Sequence, residues 1–160
     1  MKALRFMTIL LTTISAAAAL AHLLEMPAKL SYDGPTWLHL LQTLYPPLFG
    51  PVSGTCEIAA TIASMILVAL LWRRSERWGW TAVAAGCLLV THAVFWIWVR
   101  PVNATLVPLT PATLPAAWTQ LRNQWEYSHA VRAVLQLIAL AGFVISLLNE
   151  LATTKPHRPQ

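Results

Sequence analysis

The chain has 160 residues, of which 57% are hydrophobic and only 11% are charged. Soluble domains average about 25% charged residues, so this composition excludes an ordinary soluble domain and indicates a chain that lies in lipid. The formal net charge of +5 is of a size that could attract nucleic acid. The positive charges instead follow the membrane topology described next, so we expect no nucleic-acid partner.

Four apolar runs without Asp, Glu, Lys or Arg carry the hydrophobic excess, at residues 6–24, 58–72, 78–99 and 133–149. A helix needs roughly 20 apolar residues to cross a bilayer. We therefore predict helices at about 4–26, 54–72, 78–99 and 127–149, in a single integral membrane domain, 1–160. The fold class is an all-α, four-transmembrane-helix bundle. Its two long outer loops are expected at 27–53 and 100–126.

Basic residues gather on one side of this predicted bundle. With four spans, the start of the chain, the turn between the second and third spans, and the end of the chain share that side. The positive-inside rule makes it the cytoplasm, so both termini are predicted to be cytoplasmic, with the protein in the plasma (inner) membrane. The residues concerned are Lys2, Arg5, Arg73, Arg74, Arg77, Lys155 and Arg158.

The first apolar run has two interpretations. Ala19-Leu20-Ala21 fits a signal-peptidase site, and cleavage there would leave His22 as the new N-terminus. Against this, small and polar residues recur at steps of four and three and form one stripe, which is typical of helix packing in membranes. The stripe consists of Thr8, Thr12, Ser15, Ala19 and His22. It favours a retained span, although cleavage after Ala21 stays open.

Ionisable residues concentrate at the predicted outer ends of all four spans. Such residues are costly in a membrane, at roughly 2.5 kcal/mol or more each at the centre, so we expect them to face inward and to find partners. The cluster consists of His22 and Glu25 on the first span, Glu57 on the second, His92 on the third, and His129 and Arg132 on the fourth.

Two chemistries would use such a cluster. Histidines and a carboxylate on separate helices can bind a transition metal such as copper or iron, and the possible ligands are His22, Glu25, His92 and His129. Without a metal, His22 or His129 could act as a base while Arg132 or Lys29 stabilises an anion. The cofactor is thus unknown, either a transition metal or none.

The aromatic residues near the cluster suit an apolar substrate that arrives from the lipid. Trp96, Trp98 and Trp125 are the predicted substrate contacts, and Glu57 is the predicted supporting residue. The alternative is that the cluster only holds the helices together. Tryptophans at these positions are also typical anchors at the membrane interface.

Two segments resemble one family. The stretch "AHLLEMPAKL" carries His22, Glu25, Pro27 and Lys29 and is similar to the His-x-x-Glu-x-Pro-x-Lys segment of anthrone oxygenase-like membrane proteins. The stretch "WTQLRNQWEYSHAVRAVLQLIALAGFVISLL" resembles the last helix of that family. His92 matches no motif of the family.

The resemblance implies a four-helix membrane protein, and some members oxidise the activated methylene of a polyketide anthrone with O2. If this chemistry carries over, His22 or His129 would form the enolate and Arg132 or Lys29 would hold its oxyanion. We therefore expect a membrane oxidoreductase or oxygenase that acts on an apolar aromatic small molecule at the outer membrane face. The alternatives are a metal- or haem-binding subunit and a purely structural membrane protein. A homo-oligomer is also left open.

Overall fold

The computed structural model describes residues 1–73 and 78–153. Arg74, Arg77, Lys155 and Arg158, which contribute to the predicted orientation, lie outside these residues. The orientation of the termini in the membrane therefore stays a prediction.

The described part of the chain is almost entirely helical and contains no strand. Two π-helical turns and one short 3₁₀ helix interrupt or connect the α-helices. The α-helices are α1 (Lys2–Ser31), α2 (Gly34–Thr43), α3 (Gly50–Trp72), α4 (Gly79–Val94), α5 (Arg100–Leu106) and α6 (Trp118–Thr153); the π-helical turns are Tyr45–Phe49 and Phe95–Val99, and the 3₁₀ helix is Pro111–Thr113.

Within the described residues, four helical segments are long and apolar enough to cross a membrane. This length and composition confirm the all-α class and the four spans. At 1.5 Å per residue, α1 is about 45 Å long, which exceeds the roughly 30 Å hydrocarbon core. The segments are Lys2–Ser31, Gly34–Trp72, Gly79–Leu106 and Trp118–Ala152.

The two predicted outer loops are shorter than expected; within the second, a connection remains at 107–117, between α5 and α6. The segment 27–53 is mostly helical, because α1 continues through Pro27 to Ser31 and α2 starts at Gly34. The fourth span also begins at Trp118 rather than near residue 127. We call the end of the bundle at which Ser31 and Trp118 lie the outer end, after its predicted orientation.

Prolines lie inside the first π-helical turn and shortly after the second. Pro46 and Pro47 have no N–H with which to bond a carbonyl four residues back. The helix widens there, and the N–H of Phe49 donates to the carbonyl of Leu44, five residues back, at 3.1 Å. Pro101 lies two residues after the second π-helical turn and likewise has no N–H with which to bond the carbonyl four residues back. The prolines therefore reshape the second and third spans without ending them.

The polar stripe predicted on the first span faces the interior. Thr8, Thr12, Ser15, Ala19 and His22 are all buried, as expected for a helix that packs in the bundle. The opposite residues of the spans are apolar and exposed, which suits contact with lipid. The first span is therefore an integral part of the bundle interior.

Close helix contact occurs where α6 meets α4. A Cβ atom built on Gly142 would lie 3.2 Å from Ala84 Cβ and 3.2 Å from the Trp80 carbonyl oxygen. Small residues permit such approaches between membrane helices. Ala60, Ala84 and Ala139 are completely buried nearby, so this part of the core depends on small side chains.

A second core forms at the outer end, where α2 and α5 pack around the start of α6. Asp33 begins this region, and its side chain accepts the Thr36 N–H at 3.0 Å as the N-cap of α2. Hydrogen bonds from the Thr36 side chain and from the Thr36 backbone hold the pKa of the Asp33 carboxyl below its usual value. The buried members of the core are Trp37, Leu38, Leu41, Tyr45, Val99, Val102, Leu106 and Trp125.

We expect Gly142→Leu to destabilise the bundle by about 1–3 kcal/mol, the usual cost of overpacking a core. Gly86→Leu is the matched control, because a Cβ atom there meets nothing within 4 Å. Thermal unfolding in detergent would measure both variants. Equal melting temperatures for the two variants would contradict the close packing at Gly142.

Candidate functional site

A cavity of about 350 Å³ lies in the outer half of the bundle. Its wall is formed by α1, α3, α4 and α6 together with both π-helical turns. Single π-helical turns inside α-helices are frequent at functional sites. Here they place Tyr45 and Phe49 on one side of the cavity and Phe95 and Trp96 on another.

Two histidines stack against each other in the cavity wall. The rings of His22 and His129 are nearly parallel, with centroids 4.4 Å apart. Trp125 lies 4.1 Å from the ring of His129, and Tyr45 lies 4.4 Å from the ring of His22. The histidines predicted on the first and fourth spans are therefore brought together inside an aromatic enclosure.

The buried carboxylate of Glu57 joins all four spans. Its Oε2 accepts hydrogen bonds from Arg132 at 2.9 Å and from Gln136 at 2.7 Å, both on α6. Ser15 of α1 contacts the same oxygen at 3.5 Å, and Nδ1 of His92 on α4 lies 3.3 Å from Oε1. The predicted supporting residue is therefore the centre of the polar network.

A second buried ion pair lies above the cavity. Lys29 Nζ and Glu126 Oε2 are 2.8 Å apart, with side chains exposed by only 2% and 1%. The indole N–H of Trp37 donates to Glu126 Oε1 at 2.8 Å. The Lys29 ammonium also lies 4.8 Å and 5.1 Å from the ring centroids of Tyr45 and Trp125. This pair links the outer ends of α1, α2 and α6.

Each stacked histidine has a cation beside its Nδ1 atom. Lys29 Nζ lies 3.4 Å from His22 Nδ1, and Arg132 NH1 lies 3.2 Å from His129 Nδ1. The Nε2 atom of His129 is buried and has no hydrogen-bond partner in the described part of the chain. Each ring is therefore held at one nitrogen, and His129, which lines the cavity, has a buried Nε2 atom without a partner among the described residues.

The predicted residues take different places in this arrangement. His22, His92, His129, Arg132 and Glu57 line the cavity. Trp96 and Trp125 line it as well. Trp98, Glu25 and Lys29 are not among the lining residues; Trp98 is exposed on the surface, whereas Glu25 and Lys29 belong to the ion pairs above the cavity.

The structure does not bring the four possible metal ligands together. Glu25 accepts the Tyr45 hydroxyl at 2.8 Å, and His92 faces Glu57 and Thr61. Among residues 1–73 and 78–153, no group of three or more His, Cys, Asp or Glu side chains is placed to hold a metal ion. The metal site stays a prediction from the sequence.

For several residues of the site, no pattern in the sequence predicts that they line the cavity or contact its polar groups. Tyr45 and Phe49 reach the cavity only because the helix widens after Leu44. Asn103 lines the cavity and accepts the Trp125 indole N–H at 2.8 Å. Glu126 belongs to none of the motifs in the sequence, although a carboxylate next to Trp125 on the fourth span could have indicated an inward position.

The exposed lining residues show where the cavity opens. Ile58 on α3 and Trp96 on the second π-helical turn both line it and are more than half exposed. Gly50 and Pro51, also exposed, complete this side. The opening therefore lies between the second and third spans, on an apolar face of the bundle.

Comparison with protein-family models, curated proteins and solved structures gives no match. The resemblance to the anthrone oxygenase-like family stays a prediction from two segments of the sequence. The function proposed for the protein therefore rests on the geometry of the cavity.

We expect Glu57→Ala to destabilise the protein by about 3–5 kcal/mol, because it leaves the Arg132 charge buried without its partner. Arg132→Ala should cost a similar amount. In the double variant the losses should be far from additive, because each single change removes the same pair. A double-mutant cycle by thermal unfolding in detergent measures this coupling.

Glu25→Ala serves as the control for that cycle. Because Glu25 is exposed, its replacement should lower the free energy of unfolding by less than about 1 kcal/mol. Additive losses for Glu57 and Arg132 would show that the two side chains do not form a coupled pair.

Proposed function

We propose that the protein is an integral membrane oxidoreductase that uses O2 to oxidise a planar aromatic ketone such as an anthrone. The observation that carries the proposal is the cavity itself, which combines an apolar opening with a polar wall of His22, His129 and Arg132. The proposed location is the plasma membrane, with the cavity in the outer half and both termini in the cytoplasm.

The shape and lining of the cavity support an aromatic ligand. Ligand pockets are typically 300–1,000 Å³ and mostly apolar, with a few polar groups that fix orientation. Phe49, Phe95, Trp96 and Trp125 provide apolar and aromatic surface in this cavity. The opening between the second and third spans would let such a ligand enter sideways from the bilayer.

The proposed reaction balances with O2 as the only oxidant. The ring methylene of the anthrone loses two hydrogens and four electrons and becomes a carbonyl. One oxygen atom of O2 becomes the new carbonyl oxygen, and the other leaves as water with the two hydrogens. The product is the anthraquinone.

The polar wall would act on the existing ketone oxygen. Transfer of a methylene proton to a hydroxide ion of the solvent puts negative charge on that oxygen, and fixed hydrogen-bond donors in a water-poor site stabilise such charge strongly. Arg132 lines the cavity and is held by Glu57, whereas Lys29 lies outside the lining, beside His22, and is held by Glu126. These ion pairs would keep the donors in place while the charge develops.

The two alternatives predict different behaviour. A metal- or haem-binding subunit requires bound iron or copper, or a visible absorption band, in the purified protein. If the protein is purely structural, filling the cavity should change neither ligand binding nor any reaction. The homo-oligomer left open by the sequence stays a prediction.

Oxygen uptake with anthrone is the direct test. Protein in nanodiscs should consume O2 and form anthraquinone faster than empty nanodiscs. Gly54→Leu should abolish this excess rate, because Gly54 lines the cavity and has open space for a side chain. Gly86→Leu, which also has space but lies outside the cavity, should keep the rate.

An uptake rate equal to that of empty nanodiscs would overturn the proposed reaction. An excess rate that survives in Gly54→Leu would place the reaction outside this cavity. Metal content and an absorption spectrum of the same sample separate the metal- or haem-binding alternative.

A further inference from the structure

The two stacked histidines have a fixed hydrogen-bond direction. The Lys29 ammonium and the Arg132 guanidinium can only donate hydrogen bonds. At 3.4 Å and 3.2 Å they face Nδ1 of His22 and of His129, respectively. Each Nδ1 atom must therefore be the acceptor, and a neutral ring then carries its proton on Nε2.

We propose that Lys29 and Arg132 hold His22 and His129 as Nε2–H tautomers, so that the cavity presents two hydrogen-bond donors to one oxygen of the ligand. The ligand class is then an aromatic ketone, quinone or phenolate. This inference rests on the proposed function and deepens it by naming how the substrate oxygen is recognised.

The unpartnered nitrogen of His129 points to a ligand acceptor. Its Nε2 atom is buried and finds no partner within residues 1–73 and 78–153. A buried donor without an acceptor is unfavourable, because it has lost its hydrogen bond to water and gained none in return. A ligand oxygen in the cavity would remove this cost, whereas a ligand without an acceptor would leave it in place.

The two cations are themselves fixed, which makes the tautomers stable. Lys29 is paired with Glu126 at 2.8 Å, and Arg132 is paired with Glu57 at 2.9 Å. Both pairs are almost completely shielded from solvent. Lys29 and Arg132 are thus positioning residues that act through the histidines.

This assignment changes the role predicted for the histidines. A base or a metal ligand needs a free lone pair on the ring. The lone pair of each Nδ1 is directed at a cation, and each Nε2 carries the proton. His22 and His129 therefore serve as oxygen-binding donors in the resting protein.

Nitrogen NMR of protein labelled with ¹⁵N in the histidine rings tests the tautomers directly, because protonated and unprotonated ring nitrogens differ strongly in chemical shift. His22→Phe and His129→Phe identify the two signals among the five histidines. We expect the Nε2–H form at both positions. An Nδ1–H form at either position in the wild-type protein would overturn the proposal.

The double variant Lys29→Met/Glu126→Gln isolates the effect of the cation on His22. It removes both members of the buried pair, so that no unpaired charge remains. The His22 signal should then show the Nδ1–H form in part, while His129 keeps its tautomer through Arg132. An unchanged His22 signal would show that Lys29 does not set the tautomer.

Ligand selectivity provides a second test. Anthraquinone and anthracene share a flat three-ring skeleton, but only anthraquinone has oxygen acceptors. Measured by tryptophan quenching in nanodiscs, anthraquinone should bind at least tenfold more tightly, which is about 1.4 kcal/mol. The quenching that remains in Gly54→Leu is attributed to partition of the compound into lipid, and it is subtracted from the wild-type signal. Equal binding of the two compounds would overturn the proposed donor site.

These results separate the inference from the proposed reaction. Nε2–H tautomers and a preference for anthraquinone without any anthrone oxidation would refute only the oxidation. Anthrone oxidation with equal binding of anthracene would refute only the donor site.

Discussion

The buried carboxylate of Glu57 is the interaction on which the rest of the bundle depends. Its side chain contacts side chains from the three other spans, namely Ser15, His92, Arg132 and Gln136. A buried charge is tolerated only when it is paired and hydrogen-bonded. Because its partners come from three other helices, the carboxylate is satisfied only when the bundle is assembled in one arrangement.

The sequence predicts the four spans and the inward-facing polar stripe of the first span, because both follow from simple periodicity. Apolar runs of sufficient length define the spans, and the steps of four and three between Thr8, Thr12 and Ser15 place the polar stripe on one face. The structure confirms both features. It is the cost of polar groups in lipid that makes these two signals strong.

The outer end could not be predicted in the same way. Pro46 and Pro47 suggest a break in any helix, yet the chain there continues as a widened turn. That turn is stabilised by contacts with residues distant in sequence, such as the packing of Tyr45 against Trp125 and its hydrogen bond to Glu25. Local propensity carries no information about such contacts, so the residues they bring to the cavity had no signal.

In the proposed donor site, the ion pairs that link the helices also set the hydrogen-bond direction of the two histidines. Glu57 and Glu126 each hold one cation, and each cation in turn faces Nδ1 of one histidine. A substitution in either pair therefore alters both packing and the hydrogen-bond direction of a ring. Buried ion pairs often contribute little net stability compared with apolar residues of similar size. In the proposed donor site, the role of these pairs is therefore to orient His22 and His129 rather than to add stability.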